Sequence, residues 1–160
     1  MSKQSKPELI EAIQHRVAEF QQLADQYDEA AAALLGVNRT DLRLLGLLSL
    51  RGSLTAGELA AAAALSPAAT STAIQRIVAA GHARREAAAE DRRRAVISLT
   101  RRTESRIAEI YAAVAEAGRR QLAGYTEREL RVIQDFLSHG NDLLAERAAR
   151  LRRAGRSRRT

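Results

Sequence analysis

The 160-residue sequence contains no cysteine. Disulfides, thiolate chemistry and a cysteine-based oxidant sensor are therefore excluded. Aromatic residues are scarce: two Phe, three Tyr and no Trp. A core made mainly of Ala and Leu removes less apolar area from water per residue than one with rings, so support from a partner chain is expected. Long apolar runs are also missing. Leu42–Leu50 is apolar but falls far short of the roughly 20 residues that cross a bilayer. No apolar run follows the lysines at the start of the chain. Neither a membrane partner nor a signal peptide is expected, and a cytoplasmic location is. A glycine-rich phosphate loop, a His–carboxylate cluster and a Ser-centred elbow are all absent, which argues against an enzyme. His15 and His139 lie far apart with no second ligand at metal spacing, so neither a metal nor a cofactor is expected.

What the chain does have is an abundance of Ala, Leu and Arg. Small unbranched apolar residues favour helix, and the composition points to a mainly α fold. The formal net charge of +7 suits a polyanionic partner, nucleic acid ahead of a membrane surface. That charge is segregated. Glu8 to Leu35 carries six acidic residues against Arg16, whereas Arg84 to Arg102 carries seven arginines against Glu86, Glu90 and Asp91. The stretch from Arg147 onward is almost purely basic.

Leu9, Ile13, Val17, Phe20 and Ala24 recur at helical spacing and predict a first helix from Glu8 to about Leu35, stopped by Gly36. Thr40 or Asn38 caps a second helix that ends at Arg51-Gly52. Thr55-Ala56-Gly57-Glu58 is a capping box for a short third helix through about Ala63. Ser66-Pro67 opens a fourth, with Ser as cap and Pro at the first helical position, and Gly81 ends it. The period then changes from helical to alternating. His82–Glu86 and Arg94–Leu99 read as two strands joined by the charged stretch Ala87–Arg93. Thr100 or Thr103 caps a fifth helix. Thr126–Glu129 is a second capping box opening a sixth, with a kink expected at Gly140-Asn141 and fraying beyond about Arg153.

Two short helices joined by a tight turn, followed at once by an arginine-tipped hairpin, make a helix-turn-helix with a wing. The major groove of B-DNA admits one helix, and a thin ribbon reaches the flanking backbone and minor groove. Residues 40–103 resemble the multiple-antibiotic-resistance-regulator (MarR) family of winged-helix transcription factors. The resemblance runs through Leu54-Thr55, Glu58-Leu59-Ala60, Leu65-Ser66-Pro67, Gln75-Arg76-Ile77, Ala80-Gly81-His82 and Arg84-Arg85. It is clearest in Glu90–Thr100, where Asp-Arg-Arg leads into an alternating strand ending Leu-Thr. Any one fragment is weak; all of them in order cover roughly two-fifths of the chain. The resemblance implies a homodimer whose N- and C-terminal helices interlock, and a winged helix-turn-helix that binds double-stranded DNA at an inverted-repeat operator. It also implies a small-molecule effector held between the dimerisation helices and the DNA lobe. The expected organisation is a dimerisation region of residues 8–35 and 101–153, a DNA-binding domain of residues 38–100, and a basic disordered tail of residues 154–160. A repressor is the leading function; an architectural or weakly specific DNA-binding protein without an effector is the alternative.

On the recognition helix, Ala73, Ile74, Ile77 and Val78 form an inward face. Ser66, Pro67, Ala68, Ala69, Ser71, Thr72, Gln75 and Arg76 are the candidate DNA contacts, with Arg76 the only long cation. Ala68, Ala69 and the threonine methyls suit apolar contact with thymine. Family members often carry Arg where this chain has Thr72. In the wing, the resemblance implies that Asp91 orients the loop and Arg93 enters the minor groove, while Arg84, Arg85, Arg92 and Arg94 read as phosphate contacts. The bland alternatives are a solvated charged loop for these arginines, a turn residue for Asp91 and ordinary surface polarity for Ser71, Thr72 and Gln75. His82 reads as a partly buried structural histidine. Phe20, Leu23, Tyr27, Leu44, Leu48 and Tyr111 are the candidates to line a ligand cleft, although Leu42–Leu50 is most simply a buried helix.

Overall fold

The computed structural model describes residues 4–87 and 95–157 and divides the chain into two compact units, Met1–Tyr111 and Ala112–Thr160. The first unit opens with α1 (Lys6–Leu35), where the Ser5 N–H donates to the Glu8 carboxylate at 2.7 Å and closes a capping box. Only its last turns are buried, at Ala31, Ala32 and Leu35. Gly36 then turns the chain at φ 69°, a left-handed conformation that suits a residue without Cβ.

Helix α2 (Arg39–Arg51) is capped by Asn38, whose side chain accepts from the Asp41 N–H at 2.9 Å. Of the two candidate caps, the structure therefore uses Asn38. Leu42, Leu44, Leu45 and Leu48 sink from α2 into the core. Strand β1 (Leu54–Thr55) leads into α3 (Ala56–Ala63), where Thr55 and Glu58 cap reciprocally. A three-residue turn, Ala64–Ser66, joins α3 to α4 (Pro67–Ala79), and Ser66 Oγ accepts from the Ala69 N–H at 3.2 Å. Leu59, Ile74 and Ile77 meet Leu44 and Leu45 in one cluster, all with at most 1% of their surface exposed. Each such side chain contributes about 1.5–3 kcal/mol by leaving water.

Strands β2 (Ala83–Ala87) and β3 (Ala95–Leu99) pair antiparallel, Arg85 opposite Ile97, and β1 adds to the free edge of β3 for the sheet order β1-β3-β2. The sequence predicts the hairpin but not β1, which at two residues is too short to show a period. Thr100 caps α5 (Arg101–Leu122), its hydroxyl accepting from the Thr103 N–H at 3.4 Å.

The second unit holds the later part of α5 and all of α6 (Glu127–Ser157). Thr126 and Glu129 form the expected capping box, with the Thr126 N–H donating at 2.8 Å. Helix α6 runs through Gly140-Asn141 and past Arg153 to Ser157, beyond the point where the sequence predicts fraying. Good helix formers and (i, i+4) pairs such as Glu146–Arg150 at 2.6 Å carry it on. Among the described residues no helix is long and apolar enough to cross a membrane.

Candidate nucleic-acid interface

Helix α4 is two-sided. Thr70, Ala73, Ile74 and Ile77 are buried, while Pro67, Ala68, Ala69, Ser71, Thr72, Gln75 and Arg76 are exposed. At 3.6 residues per turn, Ala68, Thr72, Gln75 and Ala79 share one outer ridge. The polar groups along this face differ in how free they are. Ser66 is committed to capping, and the Thr72 hydroxyl donates to the Ala68 carbonyl one turn back at 3.0 Å. That bond leaves the Thr72 methyl as the group it offers outward.

Arg76 is not the free cation the sequence suggests. Its Nε donates to Asp41 Oδ2 at 3.0 Å and its Nη2 to Asp41 Oδ1 at 2.7 Å. Asp41 is 4% exposed, and a buried carboxylate needs such a partner. Hydrogen bonding to Asp41, only partly opposed by desolvation, raises the guanidinium pKa above its ordinary value. Asp41 is the site residue that sequence reading misses. It lies 35 residues from Arg76, and its own neighbourhood gives only the signal of an acidic group in a helix's first turn.

In the hairpin, Arg84 and Arg85 are both exposed. Arg84 pairs through Nε with Glu86 and donates from Nη1 to the Leu99 carbonyl at 3.2 Å, so β2 and β3 brace it. Asp91, Arg92, Arg93 and Arg94 lie outside the described residues. His82 is half-buried beside the α4–β2 turn, its Nδ1 3.2 Å from Thr103 Oγ1, as a structural histidine would be. Near this turn a cavity of about 690 Å³ opens between the end of α1 (Leu34, Leu35), Gly81 and His82, and Arg102 and Arg106 of α5.

The expected cleft residues are not gathered around a shared opening. Leu44 and Leu48 are 0% and 2% exposed and belong to the core, because α2 turns its leucines inward against α3 and α4. Phe20 and Leu23 stand exposed on α1. Tyr27 and Tyr111 pack on each other with ring centroids 5.4 Å apart and tie α1 to α5. The Tyr27 hydroxyl donates to the Ile110 carbonyl at 2.5 Å, and the Tyr111 hydroxyl donates to Asp28 at 2.6 Å. Burial first, then the hydrogen bond to Asp28 and its charge, pushes the Tyr111 phenol above its ordinary value. Among the described residues no group of three His or carboxylate side chains is placed to hold a metal ion.

The model of the MarR family matches residues 35–94. A relative from Bacillus subtilis (strain 168), the uncharacterized HTH-type transcriptional regulator YcgE, is 32% identical over 126 residues, 79% of this chain and 82% of that one. Among solved structures, a MarR family transcriptional regulator from Silicibacter pomeroyi DSS is 25% identical, with a TM-score of 0.61 over 89% of this chain and 94% of its own. NadR, solved in complex with 4-hydroxyphenylacetate, has the same fold at 23% identity and a TM-score of 0.56 over 87% of this chain and 94% of its own. A buried-inside, exposed-outside α4 following a three-residue turn, a hairpin directly behind it, the match to the MarR family model, and sequence likeness across four-fifths of an HTH-type relative place this chain in the MarR family of transcriptional regulators.

Proposed function

We propose that this MarR-family regulator is a sequence-specific homodimeric repressor of double-stranded DNA. Helix α4 enters the major groove of each half of an inverted repeat, and the hairpin lies on the flanking backbone and minor groove. The carrying observation is the exposed outer face of α4 on an otherwise buried helix. Ala68, Ala69 and the Thr72 methyl contact thymine methyls, Gln75 and Ser71 hydrogen-bond base edges, and Arg76 with Ser66 and Pro67 flanks them. Arg84, Arg85, Arg92 and Arg94 meet phosphates, while Arg93, oriented by Asp91, enters the minor groove.

Residues 8–35 and 101–153 form the dimerisation region, 38–100 the DNA-binding domain, and 154–160 a basic tail. Apolar surface supports the dimer. No described residue of α6 is buried, yet Val132, Phe136, Leu137, Leu143, Leu144 and Leu151 are each more than half exposed. A second copy of the chain covers them. Half-sites then lie about one helical turn apart, roughly 10 bp. A small-molecule effector shifts the lobe arrangement, as the bound 4-hydroxyphenylacetate of NadR suggests for a relative in fold. The protein acts in the cytoplasm.

Titration of the purified protein against a promoter fragment and against random competitor tests the reading. Tighter binding to a selected inverted repeat is expected. Equal affinities would favour an architectural DNA-binding protein, which the cation-poor ridge of α4 otherwise makes the nearest rival.

A further inference from the structure

We infer that Asp41, buried in α2 and remote in sequence from the recognition helix, is a positioning residue that aims Arg76 at a DNA phosphate. The inference rests on the DNA-binding reading above and concerns how one contact of that interface is made.

A guanidinium carries five N–H donors in a rigid plane. Asp41 takes the Nε and one Nη2 donor along one edge, at 3.0 and 2.7 Å. Of the three donors left, one of Nη1 and the second of Nη2 point side by side along the adjoining end-on edge. Because the fork is planar, holding one edge fixes the direction of the other. Asp41 itself is held from behind. It sits in the first turn of α2, where the helix dipole favours a carboxylate, and its N–H is bonded to the Asn38 side chain at 2.9 Å. The Arg76 side chain is nevertheless 45% exposed, against 6% for that of Asp41. A pair serving packing alone needs no such asymmetry: here the anchor is sealed and the tip is open.

The tip is also in the right place. Arg76 stands on the exposed side of α4, one position past Gln75 and beside the Ala68–Thr72–Gln75–Ala79 ridge. Recognition helices direct their N-terminal residues to base edges. Arg76 is the tenth residue of α4 (Pro67–Ala79). That late position, to one side of the ridge, faces the sugar–phosphate wall of the groove, and two parallel N–H donors match two phosphate oxygens. An arginine normally loses rotamer freedom when it binds. Arg76 has lost it already in the free protein, so the contact forms at a smaller entropic cost.

Binding of the full-length protein to its selected operator, measured across a salt series, tests this. Arg76→Ala should lower the slope of log affinity against log salt by about 0.9 per half-site, the signature of one phosphate contact. Asp41→Asn should keep the wild-type slope, because the cation remains, while weakening binding about two- to ten-fold per half-site from lost positioning. Asp41→Asn added to Arg76→Ala should cost nothing further. Arg76→Lys, which keeps the charge but not the fork, should match Asp41→Asn and decides the matter should Asp41→Asn unfold. An unchanged slope in Arg76→Ala, wild-type affinity in Arg76→Lys, or an Asp41→Asn loss that persists without Arg76 would each overturn the inference while leaving operator recognition standing. Failure of the wild-type protein to prefer its operator over random DNA would remove both.

Discussion

Helices α2 to α4 and helix α6 follow the same amphipathic rule and reach opposite ends. Between Arg39 and Ile107 the leucines and isoleucines of α2, α3, α4 and β3 close on one another, and Leu50 is the only large apolar side chain in that span left exposed among the described residues. In α6, Phe136 and Leu143 lie seven residues apart, as do Leu137, Leu144 and Leu151, and all are more than half exposed. A seven-residue repeat is the pattern of a helix made to pack along another. One region finishes its core within the chain; the other carries its apolar seam on the surface, which is why we assign that seam to a second copy.

The contrast can be broken most severely inside the closed core. Leu44→Ala should remove about 2–5 kcal/mol of stability, read by urea unfolding, because Leu44 is wholly buried and its truncation leaves a cavity that the core fills only in part. A loss below about 1 kcal/mol would mean that the core is looser than its burial implies. On the other side of the comparison, Phe136→Glu should leave the fold intact by circular dichroism but raise the dimer dissociation constant at least about hundred-fold, since an unpaired charge would enter an apolar seam. Unaltered mass by light scattering at low concentration would reassign the face.

The Tyr27–Tyr111 pair probes the point where α1 meets α5. Tyr111→Phe should cost about 1 kcal/mol, a part-buried hydrogen bond to a carboxylate. The sign of its pH dependence follows from the raised phenol pKa. The contribution is complete below the ordinary tyrosine value of about 10, fades above it, and is gone once pH passes the folded value. Wild type should therefore lose its advantage over Tyr111→Phe in urea midpoints measured above pH 10, and a constant difference would show that the bond is not the cause. At the DNA face, replacing a contacted thymine of the operator by deoxyuridine should weaken binding about four-fold per methyl removed. Full affinity for the uracil operator would argue against Thr72 and Ala68 as methyl readers. The smallest effect lies in the turn between α3 and α4, where Ala64 is held at φ 54°. Ala64→Gly should relieve that left-handed strain and gain up to about 0.5–1 kcal/mol in thermal unfolding.

Much of this architecture is legible before any coordinates. Thr55 with Glu58, Ser66 with Pro67, and Thr126 with Glu129 announce their helix starts because a cap bonds only three residues ahead. The inward face of α4 follows from period alone. Strand β1 was not legible, since two residues carry no pattern and the pairing of Leu54 with Ile97 spans 43 positions. That Leu44 and Leu48, named for a ligand cleft, are buried in the core was open for a related reason: a leucine looks the same in sequence whether it lines an opening or fills a core.

The order of residues alone encodes what is local and periodic: helix boundaries, the change to strand after Gly81, the basic hairpin, and which sides of α4 and α6 are apolar. The tertiary structure decided everything that depends on meeting at a distance. It brought Asp41 to Arg76, Tyr111 to Asp28 and Tyr27 to Ile110. Those contacts arise because packing α1, α2, α4 and α5 around one leucine-rich centre fixes helices at angles and offsets that no short-range pattern encodes, and the polar partners are then whatever that packing leaves within hydrogen-bond reach.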